Sequence, residues 1–575
     1  MPAVPADRPH LKHWPQRLPR ELAIPDTTLW FNLEVAAHRW PAKAAYVFFG
    51  REVSYCDLYR RAEALAGWLQ KVAGVKAGDR VALYMQNCPQ FVVSLYAALR
   101  ANAVVVPVNP MNKAEEFGHY IADPETRVVI CSADLAANVA QANAALPAQQ
   151  RLAHLVVTRY ADLLPERFEP GLAVPAAMDQ WLRAEPPLPR AEGLAVTRWT
   201  DAIEAGHQPG PHTAQPDDLA LLPYTSGTTG LPKGCMHTHR TLMSNAVGGG
   251  QWGYGGPESV ALGVVPLFHI TGMLYSVLGS VYLGSTVVLM PRWDRELAGQ
   301  LISRYKVTHW TCIPTMIIDL FGSPNYKSFD LSSLRYLSGG GAAMPHAVAQ
   351  RLQDEFGLTF AEGYGLTETA APSHGNPPER AKLQCLGMPI FGVDARVVDP
   401  LTLEELPPGE VGEIVTHGPM VFKGYWRHPE ATQQAFVKIK GDDKLFFRTG
   451  DLGRMDEEGY FFLTDRLKRM INASGFKVWP AEVELMLYKH PAVQEACVIS
   501  TRDAYRGESV KAVVVKRHDH ADVTAQDIID WAREQMAAYK YPREVEFVDA
   551  LPKSGAGKVL WRVLQDRENQ REGAA

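Results

Sequence analysis

The chain has 575 residues, 46% of them apolar and 21% charged, with a net charge of −5 at pH 7. That is ordinary globular composition on a length beyond a single hydrophobic core, so two or more domains are expected. The slightly acidic balance, with no run of Lys/Arg, leaves no footprint for nucleic acid or for an anionic membrane surface.

The N-terminal "MPAVPADRPHLKHWPQRLP" carries Pro, Arg and His where a signal peptide has an apolar core, so no export signal is read and a cytoplasmic protein is expected. Seven cysteines, scattered and never in CxxC pairs, point to neither a disulfide framework nor a structural zinc site. Between Tyr46 and Met290, short apolar runs ("RVALYM", "AVVVPV", "RVVICS", "STVVLM") alternate with helix-like stretches such as "SYCDLYRRAEALAGWLQKV". This is the rhythm of doubly wound parallel sheets. Leu163 to Pro216, rich in Pro, Ala and Gly, reads as a long surface excursion.

At Leu221 to Gly234, "LLPYTSGTTGLPKG" runs off a short buried strand into small hydroxyl and glycine residues that can wrap oxyanions, and Lys233 adds a point charge. It is not the P-loop, which needs Gly-Lys-Ser/Thr opening a helix; here Pro232 precedes the lysine and Gly234 follows it. Taken alone it is equally a polar surface turn. The uncharged "MLYSVLGSVYLGSTVVLM", Met273 to Met290, approaches the length of a membrane span, but Gly279, Gly284, Ser285 and Thr286 interrupt it. A buried helix followed by a central strand is the expectation, without a membrane span; peripheral membrane association stays compatible. From about Asp394 short strands with turns ("GEVGEIVTHG", "GYFFLTDR") mark a smaller β unit. After Asp465 comes an α+β run: "VWPAEVELMLYKH" and "TAQDIIDWAREQM" as helices, "EACVIS" and "VKAVVVK" as strands.

Six segments stand in order: "YTSGTTGLPKG", "PLFHITGM", "GYGLTET", "RTGDLG", "DRLKRMINASGF" and "LPKSGAGKVLWR". The series resembles the adenylate-forming superfamily of acyl-CoA synthetases, peptide-synthetase adenylation domains and beetle luciferases, from about Pro9 to Arg562. It lies closest to the bacterial medium- and long-chain fatty acyl-CoA ligases. The fold this implies is α/β: a large N-terminal domain, residues 1–464, of doubly wound parallel-type sheets plus a small β unit, and a small mobile α+β C-terminal domain, residues 465–575.

The resemblance also implies the chemistry. A carboxylate attacks the α-phosphorus of ATP, pyrophosphate leaves, and a thiol then cuts the acyl-AMP, so the substrates are a small-molecule carboxylic acid, ATP and coenzyme A. Thr225, Ser226, Gly227, Thr228, Thr229 and Lys233 are expected to hold the pyrophosphate portion. Glu368, with Thr225 assisting, is a hard oxygen ligand for Mg²⁺, and Thr367 donates to the α-phosphate. Gly340, Gly341 and Ala342 border adenine, Tyr364 offers a stacking face, and Asp451 with Arg466 meets the ribose. Lys558 brings charge to the α-phosphate and the attacking carboxylate. Lys468 is the expected hinge, Ser474 and Gly475 enter beside CoA, and Lys477 faces a CoA phosphate. Asn472 stands where luciferases carry a lysine, which favours CoA chemistry. A homodimer is a compatible assembly.

For the acid, the expected walls are Phe268, His269, Thr271, Gly272, Met273, Cys312, Met316, Gly339 and Gly365, mostly apolar. Gly365 falls where acetyl-CoA synthetases, with "WWQTET", carry a tryptophan, so something larger than acetate is implied. A medium- or long-chain fatty acid leads; an aryl or a short branched or hydroxylated acid is the alternative, and His269 is equally a packed residue flanking the carboxylate or a donor to such an acid. A non-catalytic nucleotide-binding protein is the rival from another class, and intact Lys233, Glu368, Asp451 and Lys558 count against it.

Overall fold

Apolar β-branched runs separated by amphipathic helices can bury both faces of a sheet only between helical layers. In a computed structural model this pattern forms two compact units, residues 1–394 with 416–436, and residues 395–415 with 437–575. The structure describes residues 5, 8–225, 231–340, 344–466, 469, 471–473, 476–478, 480–503, 507–517, 520, 522–553 and 559–574.

The first unit holds two large sheets. One has the order His237–Thr238, Leu219–Leu221, Val104–Pro107, Arg80–Tyr84, Thr126–Ser132, His154–Thr158, Ala195–Arg198, parallel throughout except for its first pair. Val81, Val105, Ile130 and Val156 are fully buried in it, as near-continuous apolar strands require. The other runs Met388–Pro389, Ala371–Gly375, Phe360–Leu366, Tyr336–Gly339, His309–Cys312, Val260–Gly263, Thr286–Leu289, Ala44–Phe48, Arg51–Ser54. Its six inner strands pair in parallel and its edges are antiparallel. The helix Tyr55–Lys71 begins where expected, with the Ser54 hydroxyl accepting from the Asp57 N–H.

The uncharged stretch at 273–290 resolves as the sequence reading has it. Helix runs from Ile270 to Leu283 through a π-helical segment, Leu274–Leu278, ends at Gly284 in the left-handed region (φ 69°), and gives way to the strand Thr286–Leu289. Among the described residues no helix is long and apolar enough to cross a membrane. The 163–216 segment differs from expectation. It adds the edge strand Ala195–Arg198 and two short helices, Ala176–Leu182 and Trp199–Glu204, and it buries Trp199 completely, with the indole N–H donating to Ser94 Oγ at 3.2 Å. Elements this short leave too little periodicity to be seen among prolines and glycines.

In the second unit, Leu445–Met455 pairs antiparallel with Phe461–Arg466. A further sheet orders Phe476–Val478, Ile471–Ala473, Gly507–Lys516 and Val493–Asp503, with Glu544–Phe547 parallel to Gly507–Lys516. Helices Pro480–Leu487 and Ala525–Gln535 cover it through Val483, Leu487, Ile528 and Ala532. Thr524 and Asp527 cap the second helix reciprocally.

Candidate active site at the strand ends of the large sheet

Several marked segments of the first unit leave the carboxyl ends of neighbouring parallel strands, the edge at which open α/β sheets bind ligands. Phe268 to Met273 follow Val260–Gly263, Cys312 and Met316 follow or end His309–Cys312, Gly339 and Gly340 end Tyr336–Gly339, and Tyr364 to Thr367 end Phe360–Leu366. His269 caps the turn Ile270–Met273, its Nδ1 accepting from the Thr271 N–H at 3.3 Å. Cys312, Gly272 and Met273 are buried; Phe268, Thr271 and Met316 are half-buried. A Cβ on Gly339 would lie 1.7 Å from the Cys312 carbonyl oxygen, and one on Gly365 would lie 1.6 Å from that of Ala371. Glycine at 365 therefore answers first to the close approach of two backbones, and a tryptophan there would part the strands before it filled a pocket.

The oxyanion loop is a hairpin whose two ends are described: Lys233 pairs with Thr225 and Gly234 with Tyr224. Ser226, Gly227, Thr228 and Thr229 lie outside the described residues. The ends are fixed from both sides. His119 Nε2 bonds the Pro232 carbonyl at 2.8 Å, and the Tyr224 hydroxyl donates to Asp123. The backbone from Gly234 to Met236 exchanges hydrogen bonds with Lys423, Gly424 and Trp426. This places the Lys233 ammonium 5.4 Å from the centre of the Tyr425 ring, a cation–π distance.

Tyr425 links that lysine to Glu368. Its hydroxyl donates to Glu368 Oε1 at 2.8 Å, and burial together with the Glu368 charge raises its pKa, so it stays a donor. Tyr425 escaped the sequence reading, because its partner lies 57 residues away and nothing local marks it. Glu368 is buried in a short turn, Thr367–Thr369, that leads into Ala370 (φ 49°) and Ala371 (φ 76°). Two successive left-handed alanines cost about 1–3 kcal/mol each, so the surroundings must hold them. Asn245 does: its amide donates to the carbonyls of Thr369, Ala370 and Pro372 at 3.1, 2.9 and 2.9 Å. The Thr369 hydroxyl donates to the Ala371 carbonyl at 2.8 Å. His237 holds the other side, with Nε2 2.8 Å from the Thr367 carbonyl. A carbonyl only accepts, so this nitrogen carries the proton, and burial lowers the ring's pKa to about 4 and keeps it neutral.

Tyr364 is half-buried, its ring 5.6 Å from that of His374, which burial holds neutral with a pKa near 3. Two residues earlier, Glu362 accepts from the Gln384 N–H at 2.8 Å, and burial raises its pKa to about 7. The folded chain thus favours the protonated form. Stability should fall as pH rises from the ordinary 4.5 to about 7 and level off above. Glu362→Gln keeps the acceptor and removes the ionisation, so its unfolding temperature relative to the native protein should climb between pH 5 and pH 8; a pH-independent difference would contradict this.

In the second unit Asp451 is buried, its N–H donating to Thr449 Oγ1 at 3.1 Å, and it stands opposite Arg466 in the register of the two strands. Gly341, Ala342, Lys468, Ser474, Gly475 and Lys558 lie outside the described residues, as do the side chains of Arg466 and Lys477.

An apolar cleft opens beside this turn, between the helix His239–Trp252 and the helical stretch Leu274–Leu283. Asn245, the residue that fixes the Glu368 turn, is also in its wall. From there it passes Gly249, Gly250, Tyr275 and Leu283 toward Gly253, His309 and Tyr336. By helix rise, Asn245 to Gly253 is about 12 Å. Among the described residues, the lining includes none of the nine pocket residues expected from sequence; it takes their neighbours Leu274 and Thr311 instead. The signal that could have found it is "VGGGQW", three glycines inside a helix at about 1 kcal/mol each. A Cβ on Gly249 would lie 3.3 Å from Tyr275, and one on Gly250 would lie 2.8 Å from a Leu283 methyl, so these glycines hold the helices close and the cleft clear of side chains.

Comparison with known proteins agrees with this arrangement. The family model described as AMP-binding enzyme matches residues 33–426, and the AMP-binding enzyme C-terminal domain matches 482–558. The chain is 36% identical to the long-chain-fatty-acid–CoA ligase of Bacillus subtilis (strain 168), over 98% of this chain and 99% of the relative. It is 37% identical to a feruloyl-CoA synthase of Amycolatopsis sp, over 89% and 93%. The crystal structure of ATP-bound MatB from Rhodopseudomonas palustris superposes with a TM-score of 0.79 at 29% identity, covering 94% of this chain and 99% of that one. The chain belongs to the AMP-binding enzyme family, as an AMP-forming acyl-CoA synthetase that uses a carboxylic acid, ATP and CoA.

Proposed function

We propose that the acid is a medium- or long-chain fatty acid, converted to acyl-AMP and then to acyl-CoA. The observation that carries this is the cleft. It starts at Asn245 beside the Glu368 turn and is walled chiefly by glycine, serine, alanine, leucine and tyrosine, with Thr311 and His309, and among the described residues no Asp, Glu, Lys or Arg lines it to pair a second carboxylate or an amine. A relative over nearly the whole chain is a long-chain-fatty-acid–CoA ligase. A second reading, an aryl acid, draws support from His309, Tyr275 and Tyr336 in the same lining and from the feruloyl-CoA synthase relative.

In this proposal the hairpin ending at Thr225 and Lys233 grips the β- and γ-phosphates, Thr367 meets the α-phosphate, Gly340 and Tyr364 border adenine, and Asp451 holds the ribose. Among the described residues no three His, Cys, Asp or Glu gather as a metal cage. One carboxylate, Glu368, fits Mg²⁺, which takes most of its ligands from phosphate and water. When bound, the ion would neutralise charge on the leaving pyrophosphate. Residues 465–575 are taken as the mobile domain, turning at Lys468 to exchange Lys558 for Ser474, Gly475 and Lys477. The enzyme is placed in the cytoplasm.

The test is an acid panel with ATP, Mg²⁺ and CoA, reading AMP and pyrophosphate. Octanoate or palmitate should give acid-dependent AMP, with ferulate weaker; ADP, or strict preference for ferulate, would reject the proposal. Gly250→Val should shift preference toward shorter acids, because the branched side chain crowds Leu283 while improving helix propensity.

A further inference from the structure

We propose that the N-terminal segment, through Arg17, holds the far wall of the cleft and so sets the length of tail the enzyme accepts; this rests on the cleft being the acyl site. The helix His239–Trp252 has no basic residue in its last turn, so its final carbonyls need donors and its negative end needs a cation from elsewhere. Arg17, more than 230 residues upstream, supplies both. Its Nη1 donates to the Gln251 carbonyl at 2.7 Å and its Nη2 to that of Trp252 at 2.5 Å, while Nε pairs with Glu379. The guanidinium lies 3.8 Å from the centre of the Tyr254 ring. One planar fork thus engages two carbonyls, a carboxylate and an aromatic face, which a lysine cannot reproduce.

The grip falls where regular structure stops. Helix ends at Trp252, Tyr254 sits in the left-handed region at φ 60°, and Gly253 and Gly255 both line the cleft. From the inner side, His309 Nε2 bonds the Gly253 carbonyl at 2.9 Å, and Tyr336 packs so closely that a Cβ on Gly253 would lie 2.6 Å from its ring. From the outer side comes Arg17. Trp14 adds edge contacts at 5.4 Å to both Trp252 and Phe391, and Leu22 backs Gly248, which, unlike Gly249 and Gly250, is not part of the cleft lining. The wall is therefore held between a histidine and an N-terminal clasp, and its position sets how far a tail can reach.

Arg17 is a positioning residue, so the test separates tail length from general damage. KM and kcat are measured for octanoate and palmitate in the native protein, Arg17→Ala, Arg17→Lys, Tyr254→Leu and Gly250→Val. Arg17→Ala is expected to raise the palmitate KM about tenfold, the scale of one charge-assisted hydrogen bond, with octanoate KM within about twofold. Arg17→Lys and Tyr254→Leu should fall between, and they carry the test if Arg17→Ala does not fold. Equal losses for both acids, or a loss in kcat alone, would overturn the clasp, and if Gly250→Val still shifts the profile the cleft itself stands. If no variant, Gly250→Val included, alters the profile, the acyl reading of the cleft fails first.

Discussion

Lys558→Ala is expected to lower acyl-adenylate formation by roughly 10²- to 10³-fold, the usual scale for deleting one group that stabilises developing charge. Positive charge matters when the carboxylate attacks the α-phosphorus, and it matters far less when a thiol attacks the finished acyl-AMP. Thioester formation from supplied acyl-AMP should therefore survive. Lys468→Pro is the reciprocal change: fixing φ at the proposed hinge should leave adenylation in place and slow transfer to CoA. The two half-reactions are assayed separately, adenylation by pyrophosphate release and thioesterification by acyl-CoA formed from acyl-AMP. Equal damage to both steps in both proteins would defeat the division of labour.

Glu368→Gln is expected to cost adenylation a similar 10²- to 10³-fold at fixed Mg²⁺. Glutamine retains an oxygen that can accept from the Tyr425 hydroxyl, so the link to the Lys233 side of the site can persist while the charge is lost. The loss should therefore appear in the Mg²⁺ dependence of the rate, with little change in unfolding temperature. Native-like adenylation at ordinary Mg²⁺ would remove Glu368 from the metal and leave it a structural acceptor for Tyr425.

Much of the fold was legible because buried parallel strands need β-branched apolar runs, and those stand out between helices: Arg80–Tyr84, Thr126–Ser132 and Thr286–Leu289 fall on the runs that foretold them. The motif chemistry was legible for a different reason. Glycines, hydroxyls and charges in fixed order survive as a pattern even where each residue alone would pass for a turn. What stayed hidden depends on distant partners. Ala370 and Ala371 give no sign of a left-handed pair, since Asn245, more than 120 residues away, is what holds it. Tyr425 looks like one more aromatic until its hydroxyl meets Glu368. The cleft was missed because Gly249, Gly250 and Gly253 contribute by lacking side chains, and Arg17 because a cation capping a remote helix leaves no local periodicity.

The π-helical segment Leu274–Leu278 gives the cleft wall a tolerance of changed chain length in the genetic sense. A π turn accommodates one residue more than the α-helix around it, and each residue of an α-helix turns the chain by about 100°. Deleting one codon there would let the segment relax to plain α-helix while the residues after it keep their facing, so Leu283 would stay against Gly250 and the change would fall on the wall around Leu274 and Tyr275. Among related genes, a single in-frame deletion at this point would thus alter one patch of the cleft wall and spare the rest of the helix, and a comparison that scores only aligned replacements would overlook it.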